Sequence, residues 1–279
     1  MQNFLFRRIL LIFKPRNVEA ERLAGKIGRW LEARGLEAVI GEAVKDAPLC
    51  RENFDMIIVL GGDGTLLGVA RKIAGRGIPL LGINFGRVGF LATTQPSEWE
   101  ERLAACLAGE MPVSPRLALN WKLRHHGSVT AQGNAANDIV LSRGALARLV
   151  CTMISVNGHS LGHLRSDGLI LASPNGSSGY TVSAGGPLLF PRTDAVVLTP
   201  LCPFSKSVSP IVFPSDSVFE LRIDKGSTDC YITVDGQEGA HLDIGDRIEI
   251  RTLPRALLFL GDEAFLFDRL RARGLAFDQ

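Results

Sequence analysis

The chain has 279 residues, enough for about two domains and for a core that needs no disulfide or metal staple. Hydrophobic residues make up 46% and charged residues 22%, which excludes wholesale disorder, and a net charge of +2 is too small for a polyanion-binding footprint. Glycine is in surplus at 30 residues, about a tenth of the chain against a usual ~7%, so clustered glycines should mark places of close backbone approach.

In chain order, residues 9–13 form a short apolar run that reads as a buried first strand. It is no signal segment: Arg7 and Arg8 precede it and Lys14-Pro15 ends it, short of the ~7–15 apolar residues such a segment needs. Val18, Leu23, Ile27, Trp30 and Leu31 have helical spacing, so a helix is expected over 17–34 with Gly35 as its stop. Strands follow at 36–40 and 55–60, then a helix at 65–74 and a strand at 78–83. Strands separated by helices imply βαβ units and a Rossmann-like parallel sheet. After a helix over 96–107 the chain turns to short strands at 118–124, 138–141, 149–156, 168–172, 195–198, 218–223, 231–234 and 247–251. The expectation is an α/β domain over 1–112 and an all-β domain over 113–254, with the tail 255–279 packing back on the first domain. No stretch approaches the ~20 apolar residues of a membrane span. The five cysteines (Cys50, Cys106, Cys151, Cys202 and Cys230) are dispersed without a C-x-x-C pair, which fits a reducing cytoplasm.

The sharpest local feature is Gly61-Gly62-Asp63-Gly64-Thr65, after an apolar strand and before a helix. Glycines there permit positive φ and bare backbone N–H groups, and the helix N-terminus adds partial positive charge, which together make a phosphate cradle. Asp63 is then a proton acceptor for an attacking hydroxyl, a contact to phosphates through Mg²⁺, or a helix cap. The Walker pattern is absent, as is G-x-G-x-x-G after the first strand, which excludes a P-loop NTPase and an ordinary dehydrogenase. A second cluster runs Gly82-Ile83-Asn84-Phe85-Gly86-Arg87-Val88-Gly89-Phe90-Leu91. Phe90 lines a cleft there or packs into the core. The third holds Arg165-Ser166-Asp167-Gly168 and Ser173-Pro174-Asn175-Gly176-Ser177-Ser178-Gly179-Tyr180, with small hydroxyls for hydrogen bonding and Tyr180 to stack on a flat ring. Asp167 or Asp138 suits two ribose or amide hydrogen bonds.

The histidines carry less. His159 and His163 fall beside Asn157-Gly158 and Gly162, a turn, and His125-His126 beside Gly127 reads as a hairpin tip, so no dedicated side-chain metal cluster is expected. Lys14 and Arg16 neutralise phosphates or form a solvated basic turn. Arg269, Arg271 and Arg273 read as an exposed helix end.

Together the three clusters resemble the NAD kinase family, over nearly the whole chain and in the family's order. The matching blocks are GGDGTLL, GINFGRVGFL, Asn137-Asp138, SDGLILASPNGSSGYTVSAGGP and Val234-Asp235-Gly236-Gln237. GGDG is shared with diacylglycerol, sphingosine and phosphofructokinase-type kinases, whereas the block over 166–187 is specific. The resemblance implies an α/β nucleotide-binding domain, a β-rich NAD-binding domain, and transfer of a phosphoryl group from ATP or polyphosphate to the 2′-hydroxyl of NAD's adenosine ribose. It implies Mg²⁺ or another divalent cation held through the phosphates, Asp63 as general base, and Gly61, Gly62, Gly64 and Thr65 as phosphate contacts. Phe90, Asn137, Asp138, Arg165, Asp167, Asn175, Ser178, Gly179, Tyr180 and Asp235 would line the NAD pocket, with Arg165 hinting at NAD over NADH. A homodimer or homotetramer in the cytoplasm is implied, with neither nucleic acid nor membrane as partner.

Departures from the family pattern are specific. Asp138 replaces the usual Glu, the T-P-T-G-S-T-A-Y run is S-P-N-G-S-S-G-Y, and Pro203-Phe204-Ser205 and Ser209-Pro210 lack the family's His and Arg. Two other readings stand beside the kinase: a lipid or sugar kinase sharing GGDG, and a non-catalytic NAD(P)-binding regulator.

Overall fold

The chain divides into two units, Met1–Pro115 with Leu257–Gln279, and Arg116–Ala256. The computed structural model describes residues 6–43, 52–86, 89–145, 148–205, 208–227, 229–261, 265–272 and 274. Cys50, Arg87, Val88 and Arg273 lie outside the described residues.

In the first unit, strand Arg8–Phe13 (β1) leads to helix Val18–Glu32 (α1) and strand Glu37–Glu42 (β2). Asn17 caps α1 by accepting the Ala20 N–H at 3.0 Å, and Gly35 turns the chain away at φ +77°. Strand Met56–Gly61 (β3), helix Asp63–Ile73 (α2), strand Pro79–Asn84 (β4) and helix Trp99–Leu107 (α3) follow. Apolar runs, broken only by Asn84 at the end of β4, leave β3 and β4 no polar face, and both are buried at all six positions. The strands run parallel in the order β2-β1-β3-β4, with Leu258 and Phe259 pairing parallel beside β4. Ile9, Leu11, Ile27, Met56, Ile58 and Leu103 belong to the core on one face. Cys106 lies there too, and burial pushes its thiol up to about 12.

The second unit is mostly sheet. Its strands are Val113–His125 (β5), Ser128–Ala135 (β6), Asp138–Arg143 (β7), Val150–Val156 (β8), His159–Ser166 (β9) and Gly168–Ala172 (β10). Then come Ala195–Leu201 (β11), Ile211–Pro214 (β12), Phe219–Ile223 (β13), Cys230–Val234 (β14), Glu238–Leu242 (β15) and Arg247–Leu260 (β16). One sheet has the order β12-β11-β10-β7-β14-β15, and the other follows β16-β13-β8-β9 with β5 joining β16 to β6. Alternate side chains of both, such as Leu119, Leu141, Leu171, Phe219 and Ile232, share one core. The outer face of the central strands β7, β10 and β11 carries a second, smaller cluster of Val140, Ile170, Ala172 and Leu201.

Three hairpins close on X-Gly pairs with both residues at positive φ: His126-Gly127 (47°, 87°), Asn157-Gly158 (53°, 78°) and Asp235-Gly236 (50°, 62°). Such turns match the twist of the strands they join. Their return strands β6, β9 and β15, and the edge strand β12, are absent from the sequence reading. Gly162, expected in a turn, stands inside β9 at φ +115°, where the β8–β9 register shifts. Among the described residues no helix is long and apolar enough to cross a membrane.

Candidate active site

The first unit contributes a carboxylate held by backbone. Asp63 opens α2 directly after β3, with Gly62 as N-cap in extended geometry. Its Oδ2 accepts the Phe90 N–H at 2.5 Å, and its Oδ1 accepts those of Leu91 and Ala92 at 3.1 and 3.0 Å. A carboxylate offers about four lone-pair sites, so three donors leave one acceptor position, on Oδ2. The helix-cap reading of Asp63 therefore fails: its side chain reaches across to the loop after β4 rather than back to its own helix.

The glycines here serve close approach rather than positive φ, for none of Gly61, Gly62 and Gly64 has it. A Cβ on Gly61 would stand 2.7 Å from the Thr65 Oγ1, and one on Gly89 would stand 2.2 Å from the Asp63 carboxylate. A Cβ on Gly82 would meet Ala92 Cα at 2.9 Å. Gly62 differs, because open space surrounds its missing side chain. Gly64 is exposed and Thr65 half-buried at the start of α2, where the Thr65 N–H turns back to the Gly62 carbonyl at 3.0 Å and the helix N-terminus carries partial positive charge.

Behind the loop stands a residue that sequence reasoning misplaced. Arg269, on the C-terminal helix Phe265–Ala272, is buried and donates to the Ala92 carbonyl at 3.1 Å. The same Ala92 donates its N–H to Asp63, so Arg269 braces the loop that fixes the carboxylate. An arginine between Asp268 and Arg271 carries no sequence signal for burial.

The second unit repeats the device with other residues. Asp235, at the Asp-Gly turn after β14, accepts three consecutive backbone N–H groups, from Ala136, Asn137 and Asp138, at 3.0, 2.8 and 3.1 Å. From the other side Ser173 N donates to Asn137 O at 2.8 Å, and a Cβ on Gly176 would stand 2.3 Å from that oxygen. The Asn137-Asp138 segment is thus clamped between the hairpin and the helical turn Pro174–Gly176. Asp138 is 8% exposed, and burial, then the nearby charge of Asp235, pushes its carboxyl up to about 7. The Asn137 Oδ1 is buried with no partner among the described residues, a costly state unless a ligand supplies a donor.

Asn175 is buried and turned inward: its Oδ1 accepts from Arg116 at 3.1 Å and its amide nitrogen lies 3.4 Å from the Leu117 and Ala136 carbonyls. Ser178 is half-buried with its hydroxyl on the Asn175 carbonyl at 3.3 Å, while Gly179 and Tyr180 are exposed at the adjoining π-type turn Ser177–Thr181. Register sets two other predicted residues apart. Asp138 pairs with Ala172 at one end of β7, whereas Asp167 precedes Gly168, which pairs with Ser142 near the other end. Asp167 binds the Arg143 guanidinium at 2.6 Å, and Arg165 lies 5.2 Å from the centre of the Phe204 ring. Within the unit the structure brings together Asn137, Asp138, Asn175 and Asp235, with Ser178, Gly179 and Tyr180 next along the chain, but not Arg165 and Asp167.

Residues 9–111 match the ATP-NAD kinase N-terminal domain and residues 136–260 the ATP-NAD kinase C-terminal domain. An NAD kinase of Nitratidesulfovibrio vulgaris strain DP4 is 45% identical over 277 residues, 98% of this chain and 92% of the relative. That of strain Miyazaki F is 40% identical, covering 98% of each. Among solved structures, yeast NADH kinase complexed with NADH superposes with a TM-score of 0.88 at 22% identity, over 98% of this chain and 89% of that one. An NAD kinase from Archaeoglobus fulgidus in complex with ATP gives 0.75 at 26% identity, over 95% and 98%.

Proposed function

The chain belongs to the NAD kinase family and is an enzyme that phosphorylates NAD with ATP; from that premise we propose how its own residues share the work. The acceptor is the 2′-hydroxyl of the adenosine ribose, and Asp63 is its general base. The observation that carries this is the single acceptor position left on a carboxylate otherwise immobilised by three backbone N–H groups. Phosphoryl transfer asks mainly for positioning and charge neutralisation, so a rigid acceptor counts for more than a mobile one. Gly62, with open space at its α-carbon, and the Gly64-Thr65 start of α2 receive the phosphates.

A divalent cation such as Mg²⁺ fits beside this cradle, because phosphate oxygens and water are its usual ligands. When bound it supplies charge neutralisation on the transferring phosphoryl group. The donor's phosphates would hold it, since the one open position of Asp63 serves the ribose hydroxyl. Asp138, with its carboxyl at about 7, is a poorer cation ligand.

In the second unit, the unpartnered Asn137 Oδ1 supports a substrate hydrogen bond, and exposed Tyr180 offers a ring for stacking. Asn175 and Asp235 act by holding the Asn137-Asp138 segment. Arg165 and Asp167 serve a separate part of the dinucleotide, and polyphosphate is an alternative donor for the same cradle. Dispersed free thiols favour the cytoplasm. A homo-oligomer is supported by an apolar edge strand, β12, with Ile211 and Val212 exposed.

The test is Asp63→Asn. Its kcat should fall by about 10²–10⁴-fold, while NAD affinity measured by calorimetry stays within a few fold. Near-normal turnover in a folded variant removes Asp63 from the role of base. Supplying NAD, NADH, diacylglycerol and hexoses as acceptors tests the nucleotide pocket, and turnover confined to a lipid or sugar overturns it.

A further inference from the structure

Three segments that the nucleotide chemistry does not use meet around His125. His125 ends β5, His241 lies near the end of β15, and Asp243 and Asp246 flank the turn between β15 and β16. The His125 Nδ1 is 2.6 Å from Asp246 Oδ1 and 4.0 Å from Asp243 Oδ2. The three donor atoms all lie within 4.8 Å of one another. We propose that His125, Asp243 and Asp246 form a binding site for a borderline first-row divalent cation of the zinc or cobalt class.

Geometry and chemistry agree on that class. A tetrahedral ion with ligand bonds of about 2.0–2.1 Å separates its donors by about 3.3 Å, and the two measured separations bracket that edge. One imidazole with two carboxylates suits zinc or cobalt, whereas Mg²⁺ prefers an all-oxygen, largely hydrated set. The carboxylates are already oriented. Asp246 is 3% exposed, and its Oδ2 accepts the Asp243 N–H at 2.9 Å, which leaves Oδ1 turned to His125. On the far side His241 Nδ1 stands 3.7 Å from Asp243 Oδ1, the place of an outer group that holds a ligating carboxylate. Three protein ligands on a half-exposed rim leave the fourth position to water. By contrast, His163 meets Asp224 at 2.6 Å in an ordinary pair, outside this cluster.

The site would tie the β5–β6 hairpin to the β15–β16 turn. His241 pairs with Tyr231, which pairs with Ser142, so the cluster lies toward the end of β7 remote from Asp138. Bound ion therefore stabilises the second unit away from Asn137 and Asp138.

The experiment uses full-length protein stripped with chelator and titrated with ZnCl₂ and with CoCl₂, without nucleotide. One equivalent should bind, the melting temperature should rise, and excess Mg²⁺ should not displace the ion. The cobalt spectrum should show d–d bands without thiolate charge transfer. His125→Ala and Asp243→Asn should each weaken binding by about tenfold or more, whereas His163→Ala should not. Melting in chelator shows whether each variant folds; Asp243, the more exposed ligand, guards against a collapse at His125. Absence of stoichiometric binding, thiolate bands, or unchanged affinity in folded His125→Ala and Asp243→Asn overturns the site. None of these readouts depends on NAD phosphorylation.

Discussion

Two aspartates, Asp63 and Asp235, each spend most of their hydrogen-bonding capacity on three consecutive backbone N–H groups of a neighbouring loop. Two consequences follow for a third acid. Asp138 sits in the loop that Asp235 holds, and burial raises its carboxyl from 3.8 to about 7. Between those values the folded chain keeps a proton that the unfolded chain releases. Its contribution is therefore fully present below about pH 3.8 and is lost as pH rises through about 7. The size of that loss is of the order of a few kcal/mol. Asp138→Asn mimics the protonated form, so its urea-unfolding free energy should lack this decline while other groups' pH dependence persists. If ionised Asp138 accepts ribose hydroxyl hydrogen bonds, the KM for NAD should fall as pH passes about 7, and the Asn variant should flatten that profile. A wild-type stability curve without that decline would contradict the raised carboxyl.

At the scale of elements, the loop after β4 is the part most exposed to failure. Its N–H groups serve Asp63, its Ala92 carbonyl is met by Arg269, and a Cβ at Gly89 has no room beside the carboxylate. Removing a buried donor leaves that carbonyl unsatisfied at a cost of about 1–3 kcal/mol. We expect Arg269→Ala to lower kcat by roughly tenfold or more with little change in the KM for NAD, and Arg269→Lys to recover part of it. A variant that melts lower but keeps full kcat would make Arg269 merely structural. The helix itself is legible from its apolar positions, but its buried face is not. Arg269 and Arg271 look alike in sequence, yet one is buried against Ala92 and the other exposed. Three of the missed strands share a cause: β9 and β15 present mainly exposed residues and β6 is half exposed, so no apolar alternation announces them. Their hairpin turns were legible all the same, at Asn157-Gly158 and His126-Gly127.

For the molecule as a whole, the proposed homo-oligomer draws on the edge strand β12. It pairs with β11 at one end of its sheet, and Val212 is 47% exposed on it. Exposed apolar residues on a sheet edge offer a surface to another chain. Val212→Lys should shift the elution and scattering mass of a homo-oligomer toward the monomer; an unchanged mass would place the interface elsewhere.

Fold class and family were already legible in the amino-acid sequence. Apolar runs buried on both faces, glycine clusters at strand exits and the long Ser-Gly-Tyr block are local patterns, and local patterns survive without coordinates. The glycine surplus was visible too, but its reason was not. Only the tertiary structure shows that Gly61, Gly82, Gly89 and Gly176 answer to atoms of residues that are 4, 10, 26 and 39 positions away by number (Thr65, Ala92, Asp63 and Asn137). It alone decided that Asn175 faces inward, that Arg269 is buried, and that Asp138 is desolvated beside Asp235. Those are consequences of which segments pack together, and packing partners distant along the chain leave no periodic trace in it.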